Sequence, residues 1–257
     1  MKGLIIKDMM CLRKQRITFF YITFCVVVLS VMYVLSAKFG NIAIALQMTQ
    51  TENHLGDIDV KNISTNVLLL FMLLPIAMVG DVVIILTADE KADFEKLSAA
   101  MPISLEKRVL ARYISVGLMT GMGVLVDVIL AFGLSLLTDI VSFREFLGII
   151  ITAASVMVLH GTLTILYHFL FGFGKENYAQ LAAVFSILLG MGIAKRSAIK
   201  QICLQLILNT ESDTDWIASA MHFVKYQSYI LLLISLVVSA VSYCLALLVA
   251  KKKRGII

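Results

Sequence analysis

Two groups of residues in this sequence hold chemistry in unexpected places. One is a set of ionisable side chains inside long apolar runs. Asp127 and His160 fall near the middle of the apolar stretches 113–137 and 146–171, and Asp81 falls in the inner part of 66–87. Ionisable groups are costly in hydrocarbon, so such residues relay protons, line a polar path or satisfy one another across helices. Asp127 and His160 stand at similar depth and can pair. Asp81 can reach an interface or a base such as Arg112. The sequence leaves all three roles open. A metal centre is not expected: His168 lies two turns from His160 but near a boundary, and no further ligand stands at a convincing spacing. The second group is the charged stretch Asp89 to Arg112, which is broken by Pro102 and joins two apolar runs.

Other chemistries lack their motifs. Ser135, Ser155, Ser186 and Ser235 lie within apolar runs, where hydroxyls bond back to their own helix or across to a neighbour. No Gly-x-Ser nucleophile context and no HExxH zinc motif occurs. The string nearest to a phosphate-binding loop, Gly172-Phe173-Gly174-Lys175-Glu176, lacks the first Gly at the required spacing and has Glu176 in place of the hydroxyl. The chain is therefore expected to hydrolyse no ATP, to bind no cofactor and not to be an enzyme. Cys25 and Cys244 fall in apolar runs, Cys11 on the inner side and Cys203 on the outer, so no disulfide is expected.

The composition says what must position these residues. Of 257 residues, 60% are hydrophobic and only 15% charged, more apolar surface than one soluble core of this size can hide. A helix needs about 20 apolar residues to span a bilayer. Six segments fit: 17–37, 66–87, 113–137, 146–171, 179–194 and 228–250. The fold class expected is an all-α polytopic membrane protein of six transmembrane helices, a single transmembrane domain over 1–257. The first apolar run is too long for a signal-peptide core, and no cleavage site follows it. With the N-terminus inside, 15 of the 22 Lys and Arg fall in inner connections, which predicts both termini in the cytoplasm. The segment 179–194 is short and is followed by Lys195 and Arg196, so a re-entrant element stays open there. The net charge of +5 fits anionic inner-leaflet lipid, through Lys2, Lys7, Arg13, Lys14 and Arg16 and the run Lys251, Lys252, Lys253 and Arg254; nucleic acid is not needed to explain it.

The connections carry structure of their own. Residues 1–16 place Ile5, Met9 and Leu12 on one helical face, which predicts an interfacial amphipathic helix. In 88–112, a charged helix carrying Phe94 and Leu97 precedes Pro102, and Ser104 can cap a new helix leading into the third span. Such a surface suits a soluble partner. The outer connection 195–227 holds an apolar stretch, 202–208, then Glu211, Asp213, Asp215 and Trp216; with Tyr226 these predict short surface helices. The first outer connection is acidic, with Glu52, Asp57 and Asp59.

The Asp-Glu-Lys block, the run Leu97-Ser98-Ala99-Ala100-Met101-Pro102-Ile103-Ser104, then Val109 and Arg112-Tyr113, resemble the loop after the second span in ABC type 2 exporter permeases. The opening Met1-Lys2-Gly3-Leu4-Ile5-Ile6-Lys7-Asp8, with Arg13-Lys14-Gln15, is similar to the start of the same proteins. Met101 stands where these permeases usually carry Leu. The resemblance implies a half-transporter in a bacterial plasma membrane. A second permease subunit, identical or different, would pair with it. A separate cytosolic ATPase subunit would bind ATP and Mg. The first cytoplasmic loop would be the coupling helix, with Glu90, Lys91, Phe94, Glu95, Leu97, Met101 and Pro102 on the ATPase-coupling surface, and 1–16 would be the elbow helix. Among such permeases it looks most like exporters of small amphipathic peptides, including phenol-soluble modulin and lantibiotic-resistance systems.

Two rows of small residues let helices approach closely: Gly117 and Gly121, and Ser186, Gly190 and Ala194. Each can pack within the subunit or form the dimer interface; the resemblance favours the second row. A different class of reading is an ion-coupled secondary transporter using Asp81, Asp127 and His160, although no internal repeat supports it.

Overall fold

The computed structural model describes residues 2–11, 13–39, 74–79, 82–92, 94, 103–137, 143–172, 174–194 and 228–253. These residues form helices and no strand. The helices are α1 (Lys2–Cys11), α2 (Arg13–Phe39), α3 (Leu74–Val79), α4 (Val83–Lys91), α5 (Leu105–Leu137), α6 (Phe143–Phe171), α7 (Glu176–Ala194) and α8 (Ser228–Lys253). By length and composition α5, α6 and α8 can cross a membrane, and α2 holds a shorter apolar run, Ile17–Met32. The segment expected at 179–194 begins at Glu176 and is 19 residues long.

The second expected span differs from its sequence reading. Its described parts are the helices α3 and α4; residues 80–81 between them lie outside the described residues. The charged block thought to open a separate cytoplasmic helix instead ends α4, which runs on to Lys91. The cause is a tertiary contact. Ile85, Leu86 and Asp89 are the buried residues of α4, so the packed face continues past the last apolar side chain. The residues 95–102, with Glu95, Leu97, Met101 and Pro102, lie outside the described residues, as do Asp81, 40–73 and 195–227.

Ser104 caps α5 as expected. Its Oγ accepts the Lys107 N–H at 3.5 Å and its carbonyl accepts the Arg108 N–H at 3.2 Å. From there α5 runs for 33 residues.

α6 is the centre of the bundle and packs against α5, α7 and α8. Its seam with α8 is built from small polar residues. Ser228, Ser235 and Ser242 recur every seventh residue along α8 and are buried, as are Ala246 and Ala250. Ser242 Oγ donates to the Thr162 carbonyl at 3.0 Å and lies 2.8 Å from the Tyr113 hydroxyl, and Ser239 Oγ lies 3.3 Å from Thr162 Oγ1. In lipid, apolar side chains gain little by leaving hydrocarbon, so close backbone packing and such bonds hold helices together. The four serines singled out above all bond back to carbonyls of their own helix, at Phe132, Ile151, Ala182 and Leu232.

Two glycines mark the tightest crossings. A Cβ on Gly123 would lie 2.9 Å from the Ile76 Cα and 3.2 Å from the Pro75 carbonyl oxygen, so α3 presses on α5 there. A Cβ on Gly161 would meet Val116 Cγ1 at 2.7 Å. At the C-terminal end of α6, Gly172 and Gly174 take φ of 89° and 78° and turn the chain into α7. The Gly172 N–H bonds the His168 carbonyl at 2.9 Å, and Lys253 Nζ reaches the Phe169 and Leu170 carbonyls at 2.6 and 3.1 Å. The Gly-x-Gly string is thus used as a helix stop.

Candidate functional site

The residues with unusual chemistry gather where α1, α4 and α5 meet. Asp89, in the last turn of α4, is 3% exposed. Its two carboxylate oxygens serve different helices. Oδ1 takes Lys7 Nζ of α1 at 2.5 Å, and Oδ2 takes Arg112 Nη2 of α5 at 2.6 Å. Lys7 Nζ also lies 2.9 Å from Asp8 Oδ1 and sits 3.9 Å above the Phe94 ring. Asp8 is buried and accepts from Ser115 Oγ of α5 at 2.9 Å. The charges are desolvated but paired, the condition under which buried ions persist. The junction fixes three helices and one aromatic ring in a single register.

Several sequence expectations change here. α1 docks on a mixed face, with Leu4 and Asp8 as its buried residues, rather than on an apolar stripe of Ile5, Met9 and Leu12. Met9 does contribute, packing with Phe19 against Ile85 and Met119; Leu12 lies outside the described residues. Arg112, considered as a partner for Asp81, holds Asp89. Of the expected coupling residues, Glu90 and Lys91 are exposed and Phe94 is half-buried against Lys7. Asp89, Lys7 and Asp8 were not singled out as site residues. No spacing connects them, because the contacts close over 82 and 107 positions of chain.

On the other side of the α4 end, Glu90 and Glu176 converge on the turn before α7. Glu176 Oε1 accepts the Gly174 N–H at 3.2 Å and lies 3.8 Å from His168 Nδ1, while Glu90 Oε1 lies 3.3 Å from where a Gly174 Cβ would be. A hydrogen bond to Glu176, more than burial or charge, holds the Glu90 carboxyl above the usual carboxylate range, and Lys91 pulls the other way.

Within the spans, Asp127 is fully buried on the face of α5 that carries Gly123. Its carboxyl lies beside the Ile76 backbone but makes no hydrogen bond of good geometry among the described residues. The expected pairing with His160 is therefore not made. The two residues lie at different depths: a Cβ on Gly161 would meet Val116, so His160 stands beside the part of α5 that lies about three turns before Asp127. No group of three or more His, Cys, Asp or Glu that could hold a metal occurs among the described residues. Cys11, Cys25 and Cys244 carry free thiols.

The two small-residue rows behave differently. Gly117, Gly121 and Gly190 have open space where a Cβ would stand. Ser186 does not face outward alone: its Oγ lies 2.5 Å from the Tyr167 hydroxyl of α6, so part of the second row is used within the subunit. The side chain of Ala194 lies outside the described residues.

Long apolar helices around a polar, helix-spanning inner junction define a multi-pass membrane protein. The family described as ABC-2 family transporter protein matches residues 60–253, and the chain belongs to it. It is thus a permease subunit of an ABC transporter, a family that generally works with a cytosolic ATPase subunit. No curated protein and no solved structure matches the chain.

Proposed function

We propose that the chain is the membrane-spanning half of an ATP-driven exporter, paired with a second permease subunit and driven by cytosolic ATPase subunits that carry ATP and Mg. Both termini lie in the cytoplasm, and 1–16 is the elbow helix. The cargo is hydrophobic or amphipathic, a small peptide being the reading that the sequence resemblance favours. The supporting observation is the Asp89 junction. A push on the end of α4 reaches α1 through the Lys7 contact and α5 through the Arg112 contact, both made by one buried carboxylate. Because α5 is one continuous helix, a tilt at Arg112 is carried to the depth of Asp127 and beyond. The alternative, an ion-coupled carrier using Asp127 with His160, loses its main support because the two do not pair.

The test is a pull-down of the tagged full chain from its native membrane, with mass spectrometry. Recovery of a Walker-containing ATPase, lost with Phe94→Asp, is the expected result. Recovery of the chain alone, under conditions that keep other membrane complexes intact, overturns the reading.

A further inference from the structure

The ammonium of Lys7 is surrounded by three groups. Two are carboxylates, with Asp89 Oδ1 at 2.5 Å and Asp8 Oδ1 at 2.9 Å. The third is the Phe94 ring, whose centroid lies 3.9 Å from Nζ. With Arg112 on Asp89 Oδ2, the junction holds two positive and two negative groups. Charge is therefore balanced without the ring, and the ring is not needed to neutralise the ammonium. What the contact changes is where the ring stands. A cation over an aromatic face attracts it along one direction, and more strongly when partly desolvated; the Lys7 side chain is 25% exposed.

The place of that ammonium is set in turn by α5. Asp89 is bonded to Arg112 and Asp8 to Ser115, both on α5. Both carboxylates are buried, so neither swings out to follow Lys7. α1 itself packs on α5, and its Met9 packs with Phe19 against Ile85 and Met119. A ring just beyond the end of α4 is thus held relative to α5 through a side chain of α1. Phe94 belongs to the surface proposed above to meet the ATPase. An aromatic anchor fixed before docking loses less freedom on being buried by a partner, and such anchors carry a large share of binding energy.

We infer that Lys7 is a positioning residue for ATPase engagement: it holds the Phe94 ring where the ATPase takes it, so α1 acts in coupling and not only as a membrane anchor. This rests on the exporter reading above.

The full chain in lipid nanodiscs, with 4-fluorophenylalanine at position 94, provides the test. The first readout is the fluorine resonance of the chain without ATPase or nucleotide, taken as its offset from the same label in the denatured chain. Lys7→Gln keeps a donor for the carboxylates but not the charge, and should lose most of that offset. Lys7→Arg keeps a cation that stacks on aromatic faces and should retain it. An offset unchanged in Lys7→Gln overturns the inference. The second readout is the dissociation rate of the ATPase recovered in the pull-down, for Lys7→Gln and Phe94→Leu singly and together; Leu keeps an apolar contact without the aromatic face. Lys7→Gln should speed dissociation about fivefold while Phe94 is present, the scale of one cation–π contact. It should have no further effect in the Phe94→Leu chain. Equal acceleration in both chains overturns the inference, because Lys7 then acts through the junction and not through the ring. Should Lys7→Gln fail to fold, pentafluorophenylalanine at position 94 decides. It keeps the ring's shape, reverses the charge on its face and leaves both carboxylates paired, so its offset should be lost; a retained offset overturns the inference. The fluorine readout needs no ATPase, so failure of the exporter reading shows separately, as a pull-down without one.

Discussion

Asp89 and Arg112 stand 23 positions apart and are joined at 2.6 Å, with Asp89 nearly sealed from solvent. The pair ties the end of α4 to the start of α5 across the whole connection between them. Removing Asp89 takes the carboxylate from Arg112 and leaves Lys7 with Asp8 alone. Asp89→Ala is expected to cost about 3–5 kcal/mol, as for other broken buried pairs, and to weaken recovery of the ATPase. Arg112→Lys should also be harmful, because a point ammonium does not reproduce the guanidinium geometry. Thermal unfolding in nanodiscs and the pull-down measure both effects; a midpoint for Asp89→Ala equal to that of wild type would show the junction to be idle.

Gly123 and Gly117 lie on one helix and should respond oppositely to alanine. At Gly123 the new Cβ meets backbone, which cannot swing away, so Gly123→Ala should lower stability and loosen α3. At Gly117 and Gly121 there is open space, and alanine should be neutral or stabilising by up to about 1 kcal/mol from helix propensity alone. If the Gly117 row is the dimer contact, Gly117→Ala should reduce cross-linked dimer while leaving the monomer's unfolding midpoint unchanged.

The α6–α8 seam can be tested through one hydroxyl. Tyr113→Phe removes the 2.8 Å contact with Ser242, which keeps its own bond to the Thr162 carbonyl. No buried group is orphaned, so the expected loss is only about 1 kcal/mol. Ser242→Ala removes two bonds at once and leaves the Tyr113 hydroxyl only its 3.5 Å contact with the Thr162 carbonyl, so it should cost more. A reversed order of the two midpoints would rule out this account of the seam.

Glu90 gives a pH dependence. Its bond with Glu176 needs one proton shared between two carboxyls, and that bond raises its titration above the usual carboxylate range. At intermediate pH the folded chain therefore keeps a proton that the unfolded chain has released. The stability this bond supplies is present at low pH and is lost as pH rises through the folded-state titration. Glu90→Gln keeps a donor at every pH. Unfolding midpoints measured from pH 4.5 upward should fall more for wild type than for Glu90→Gln; parallel curves would discount the bond. Gly174→Ala, strained at φ of 78° and crowding the Glu90 carboxylate, should open the same contact.

Much of the architecture was legible in the chain itself. Apolar length located α2, α6, α7 and α8 to within a few residues and the C-terminal end of α5, whose start at Leu105 was marked by the Ser104 cap instead, because spanning hydrocarbon demands uninterrupted apolar helix and leaves charge at the ends. Ser104 was recognisable as a cap, because capping depends on neighbours in sequence. What the sequence could not show is which side of each helix faces its neighbours. Outward residues such as Leu118, Leu125 and Phe132 are as apolar as inward ones such as Val116 and Ala131, because lipid takes the place of water. Periodicity therefore failed to mark Asp89 as buried, to separate packed Gly123 from open Gly117, or to reveal the serine seam of α8. It also put Asp127 and His160 at similar depth, whereas the Gly161–Val116 crossing sets them about three turns apart along the bundle. Composition and length determined that the chain is a helical membrane protein; the rotation of each helix, and with it the junction at Asp89, was decided only by contacts between residues far apart in the chain.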